Sequence, residues 1–148
     1  MAQITEAEEF FTRGLNELAA GHGLSALVHF EKAAQIKEVP VYVSYLALCI
    51  AKERGQIRKA ISLCEEAIKR EPENPIHYLN LGKIYLHAGD KETAIDTFRA
   101  GLRYETNQQI IEELNKLQTR KPPVIPFLER NNPINKYLGI ILTRLGLR

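Results

Sequence analysis

Apolar residues along this chain recur at intervals of three and four, and they never alternate for long. Between residues 75 and 102, Tyr78, Leu81, Tyr85 and Leu86 recur at helical spacing, and Ile95, Phe98 and Leu102 do the same after Gly89. The residues between these runs are helix punctuation. Asn74-Pro75 places an N-cap residue before a proline at the first helical position, and Gly89-Asp90 is a stop followed by a new N-cap. Thr5 with Glu8 has the spacing of a capping box, and so does Thr106 with Gln109. No segment sustains the strict alternation of a half-buried strand, so the pattern predicts an all-α chain.

The pattern also repeats. Shifted by 34 residues, the chain brings Gly21, Gly55 and Gly89 into one register, each at an expected break between two helices. Ala26, Ala60 and Ala94 coincide next, then Phe30, Cys64 and Phe98, then Ala33, Ala67 and Gly101. Pro72 stands near the end of the second unit, where a helix must stop. Each unit reads as helix, tight turn, helix. Small residues let the paired helices approach, and large ones fill the gaps between neighbouring units. The units span about 7–40, 41–74 and 75–108 within a domain 1–119. Segment 108–118, with Ile110, Ile111, Leu114 and Leu117, reads as a helix covering the last apolar face.

These residues resemble the tetratricopeptide repeat family. Its pattern of aromatic-x-x-Leu-Gly-x-x-Tyr followed by Ala-x-x-x-Phe is met in the third unit by Tyr78, Leu81, Gly82, Tyr85, Ala94 and Phe98. The first unit keeps Phe10, Gly14, Ala26, Phe30 and Ala33, with Arg13 and Glu17 in slots that are usually apolar. The second departs most, with Leu48 in the small-residue slot and Ala51 in the tyrosine slot, and returns to pattern at Gly55, Ala60, Ala67 and Pro72. The resemblance covers about residues 6–107. It implies a right-handed α-solenoid of three helix-turn-helix repeats whose first helices line a concave, partner-binding surface.

Carried over position by position, the inward slots hold Phe11, Leu15 and Leu18 in the first repeat and Tyr42, Tyr45, Cys49 and Lys52 in the second. The third supplies Ile76, Leu79, Lys83, Leu86 and His87. Most are apolar, so the expected ligand is an apolar or amphipathic helical segment of a protein partner. The competing reading is that some of these side chains are simply core. One branch of the family clamps the C-terminal carboxylate of heat-shock chaperones with lysines, asparagines and an arginine. Those slots hold Phe11, Leu15, Leu46, Ile76 and Asn80 here. Only Asn80 can hydrogen-bond a carboxylate, which argues against that ligand.

Beyond the repeats, Lys121-Pro-Pro-Val-Ile-Pro126 is stiff and extended, within a strap over 120–132. Asn132-Pro133 then opens an expected amphipathic helix over 133–148, with Ile134, Tyr137, Leu138, Ile141, Leu142 and Leu145 on one face. At about 100° per residue these six span an arc of about 140°. Such a face needs an apolar surface. It can occupy the chain's own groove as an internal pseudo-ligand, exchange reciprocally between two copies to give a homodimer, pack on the convex surface, or serve another partner.

Charge sharpens this division. Residues 1–107 hold 13 Lys/Arg and 15 Asp/Glu, whereas 108–148 hold 7 and 3. The overall charge of +2 argues against a nucleic-acid binder, and the absence of tryptophan with so few cations argues against a membrane-surface helix. No apolar run is long enough to span a bilayer, and the first residues are acidic where a secretory signal would be basic. Cys49 and Cys64 make neither a disulfide framework nor a zinc site, so a reduced cytoplasmic protein is expected. Cys49 is expected at the groove and open to alkylation, and Cys64 is expected to be inert core. His22, His29, His77 and His87 lack metal-ligand spacing. No phosphate loop, nucleophile elbow or metalloprotease motif occurs, so the sequence predicts no enzyme, cofactor or metal.

Overall fold

The computed structural model of the 148-residue chain describes residues 3–118, 140 and 143–146. Residues 1–117 form one compact unit and 118–148 a second. The first contains α1 (Glu6–Ala19), α2 (Gly23–Ile36), α3 (Pro40–Cys49), α4 (Ile57–Arg70), α5 (Pro75–His87), α6 (Lys91–Gly101) and α7 (Gln108–Gln118). No strand occurs among the described residues. In the second unit Leu145 is exposed, and the other five residues of the expected tail face, like the strap 120–132, lie outside the described residues.

The helices pair as α1/α2, α3/α4 and α5/α6, and neighbouring pairs stack through α2/α3, α3/α5 and α4/α5. Local chemistry sets the ends. Thr5 and Glu8 form the expected reciprocal capping box, at 2.9 and 3.2 Å. Asn74 accepts from the Ile76 amide at 3.1 Å, with Pro75 at the first helical position, and Asp90 accepts from the Thr93 amide at 3.1 Å. The cap of α7 corrects the sequence expectation: Asn107, rather than Thr106, accepts from the Ile110 amide at 3.0 Å. Each intra-repeat turn passes through a left-handed glycine, Gly21, Gly55 and Gly89, at φ of 82°, 67° and 84°. In the second repeat α3 runs without a break into a π turn, Ile50–Arg54, before Gly55 ends it.

The closest packing lies inside each pair. Phe30 lies against Gly14 and Phe98 against Gly82, and a Cβ added at either glycine would stand within 2.5 Å of a ring carbon. The second repeat reverses these sizes. Leu48 stands in the glycine slot and Cys64 in the phenylalanine slot, and both are buried in one core cluster with Ala47, Ala51 and Ala60. A large residue on the first helix therefore faces a small one on the second, which conserves volume in the opposite sense.

Candidate functional site

The first helices of the repeats carry the inward slots, and packing divides those slots in two. Phe11, Leu15, Leu18, Tyr45, Ile76, Lys83 and Leu86 are half-buried, whereas Lys52 and His87 are exposed. Aromatic rings join the first two repeats. Phe11 stacks on Tyr42 at 4.6 Å between centroids and meets Tyr45 edge-on at 5.6 Å, and Tyr45 stacks on Phe30 at 5.5 Å. Ile76 and Leu86 pack on a second cluster built from Leu79, Ala94, Phe98, Ile110 and Leu114.

Tyr42, Cys49 and Leu79 do not offer an open surface, and here the sequence expectation is corrected. Tyr42 belongs to a small core with Ala7 and Ala33, and Leu79 is buried in the same cluster as Ile110 and Leu114 of the covering helix. Cys49 is 1% exposed, and burial pushes its thiol up to about 12. Cys64 is pushed up to about 12 for the same reason. Both thiols are thus protonated and shielded at neutral pH. Neither is expected to react with a thiol reagent at pH 8 until urea unfolds the chain, after which both should react. Native-state modification of Cys49 within minutes would contradict the burial.

Lys83 is the polar member of the row. Burial pulls its ammonium below the ordinary lysine value, opposed by Glu113 and reinforced by Lys52 and Lys116. Leu46 faces elsewhere: with Ala34, Val43, Ile50 and Leu63 it lines a separate cleft of about 350 Å³ between α2, α3 and α4.

Asn80, the one chaperone-clamp slot able to hydrogen-bond, is fully buried, and its amide donates to Ser44 Oγ at 3.1 Å. The same hydroxyl lies 3.0 Å from His77 Nδ1, and His77 Nε2 lies 2.8 Å from Glu71 Oε1. Burial lowers the His77 pKa, against an opposing hydrogen bond and charge from Glu71. Sequence reasoning missed this network, although the 34-residue register contains a signal. Ser44 occupies the aromatic slot held by Phe10 and Tyr78, so a small hydroxyl stands where a ring is expected. Serine, histidine and carboxylate are the components of an acyl-transfer triad, but Ser44 and His77 are both 0% exposed and no substrate reaches the hydroxyl. Of the other histidines, His22 and His87 are exposed, and His29 stacks on Phe10 at 6.2 Å. Among the described residues no His/Cys/Asp/Glu group is placed to hold a metal, and no helix is long and apolar enough to cross a membrane.

Paired helices, left-handed glycine turns and glycine–phenylalanine contacts in a 34-residue register define a helical repeat protein. The tetratricopeptide repeat family model matches residues 45–108, and that stretch carries tetratricopeptide repeats. The chain is similar to a TPR repeat-containing protein of Methanocaldococcus jannaschii, MJ0941, with 29% identity over 84 residues. That match covers 57% of this chain and a quarter (25%) of the relative. Among solved structures, the Sgt2 TPR domain from Aspergillus fumigatus superposes with a TM-score of 0.62 at 19% identity, covering 90% of this chain and 95% of that one. The first TPR of Spaghetti (RPAP3), bound to the HSP90 peptide SRMEEVD, gives 0.61 at 19% identity over 78% of this chain and 95% of that one.

Proposed function

We propose that this protein is a protein-interaction module, not an enzyme, that holds an apolar or amphipathic helical segment against the first helices of its three repeats. The observation that supports this reading is one row of half-buried side chains drawn from all three: Phe11, Leu15 and Leu18, then Tyr45, then Ile76 and Leu86. Side chains held half-open by a rigid scaffold gain from covering by a matching apolar face. Lys83, beside Ile76 and Leu86 on α5, adds a positive group for an acidic or carbonyl contact on the ligand. Solved structures similar to this chain include a domain bound to a peptide, which fits a peptide-binding role for the surface. Fully buried Asn80 and apolar Phe11, Leu15 and Ile76 disfavour a chaperone-tail carboxylate as that peptide.

The chain supplies a candidate ligand of its own, the segment 134–145 with its apolar face. Calorimetric titration of a synthetic 127–148 peptide into a body ending at Arg120 tests the reading, since residues 1–117 are compact by themselves. Saturable one-site binding is expected. It should weaken about tenfold or more in Ile76→Asp, because a carboxylate pressed against an apolar ligand costs at least about 1.4 kcal/mol. A folded body that binds no peptide overturns the pseudo-ligand role. Sedimentation of the full chain over a dilution series separates the competing arrangement: mass that doubles with concentration indicates reciprocal exchange of the tail in a homodimer.

A further inference from the structure

The buried polar chain between the second and third repeats has more structure than packing alone requires. Ser44 Oγ stands at its centre. The hydroxyl lies 3.2 Å from the Val41 carbonyl oxygen, 3.0 Å from His77 Nδ1 and 3.1 Å from Asn80 Nδ2. Asn80 can only donate there, so the hydroxyl proton is left to choose between Val41 O and His77 Nδ1. At the other side of the ring, Glu71 accepts from His77 Nε2, which fixes that nitrogen as a donor in both protonation states. With neutral His77, Ser44 donates to Nδ1. With charged His77, Nδ1 donates to Ser44 and the hydroxyl turns to Val41. Rotation of one hydroxyl thus accommodates the second proton without moving a heavy atom.

We propose that Glu71, His77, Ser44 and Asn80 form a proton-sensitive clasp between α3 and α5, firm when His77 is neutral and weakened when its ring takes a second proton. The ring is fully buried where α5 packs on α3, so a positive charge there is removed from water on every side. From α3 the titratable groups are Tyr42, Tyr45 and Cys49, all held neutral by raised pKa values. From α4, the Cys64 thiol donates to the Ser44 carbonyl at 3.8 Å and stays neutral, while Arg70 at the helix end donates to the Glu38 carbonyl at 3.2 Å. On α5, Tyr78 donates to the Pro72 carbonyl at 2.8 Å. Among the described residues Glu71 is the charge paired with the ring, and it shares an open concavity with Glu73 and Glu105. That concavity exposes 41% of the Glu71 side chain, so water screens the carboxylate that would stabilise the imidazolium.

Folding therefore holds the proton affinity of His77 below its unfolded value. The clasp contributes fully above the ordinary histidine value of 6.5 and loses strength as pH falls from there to the lowered midpoint in the folded protein. Two measurements on the full chain test this. Histidine ring signals followed by nuclear magnetic resonance should show His77 as the Nε2-protonated tautomer at pH 8, with a midpoint below 6.5. Glu71→Gln should move that midpoint further down, an effect that a merely space-filling histidine would not show. Urea unfolding should show the wild type more stable than His77→Gln above pH 6.5, with the advantage shrinking as the pH drops. Their ratio of unfolding constants should change by up to about tenfold per pH unit between 6.5 and the midpoint, and be flat above it. A His77 midpoint at or above 6.5, or a midpoint unmoved by Glu71→Gln, overturns the clasp. The ring titration decides the matter even where His77→Gln fails to fold.

Discussion

Cys64→Phe is expected to destabilise the domain by about 3 kcal/mol, and adding Leu48→Gly is expected to recover most of that loss. The ring has no room beside Leu48, because both positions are buried in one cluster and the neighbouring helix positions are alanines. Leu48→Gly alone leaves a cavity of isobutyl size and adds a glycine inside a helix, and should cost roughly 4 kcal/mol. Together the two changes recreate the glycine–phenylalanine contact that Gly14 makes with Phe30 and Gly82 makes with Phe98. A double-mutant cycle in urea should therefore give a coupling of about 6 kcal/mol in the favourable direction, because the double variant falls well short of the summed single losses. Additive single effects would show that the two slots do not share one volume.

Gly82→Ala should lower stability by about 2–3 kcal/mol, although alanine is the better helix former by about 1 kcal/mol. The reason is contact, not backbone freedom, for Gly82 lies inside α5 and is not among the glycines of positive φ. Its added methyl would overlap the Phe98 ring, which is fully buried among Ala94, Ile110 and Leu114 and cannot swing aside. Phe98→Leu, itself a cavity-forming change, should recover part of the loss when combined with Gly82→Ala. A Gly82→Ala variant as stable as the wild type would mean that α5 and α6 can separate without cost.

The all-α class, the three helix pairs, their turns and most of their caps were legible in the chain because each rests on local chemistry. Glycine accepts φ near +80° where other residues resist it, a Thr5–Glu8 pair closes its own box, and Asn74 and Asp90 cap whatever helix follows them. The exact cap of α7 was not legible, since Thr106 and Asn107 are both competent and the choice depends on where the chain enters the helix. The Leu48–Cys64 exchange was visible only as two separate departures from pattern, because pairing them requires knowing that α3 and α4 bring those slots together.

The proposed site divides along the same line. Helical spacing placed Phe11, Tyr45, Ile76 and Leu86 on one set of helices, but spacing is silent on how deeply each side chain sinks. Depth was decided by neighbours remote in sequence: α7 shares a core with Leu79, Ala7 and Ala33 share one with Tyr42, and a dense cluster encloses Cys49. The buried clasp shows the contrast most clearly, since Ser44 and His77 lie 33 positions apart. By itself the sequence determined which segments coil and where they turn, because those preferences act over a few residues. Only the tertiary structure decided which polar groups lose water and must therefore find each other, because desolvation is set by everything packed around a group.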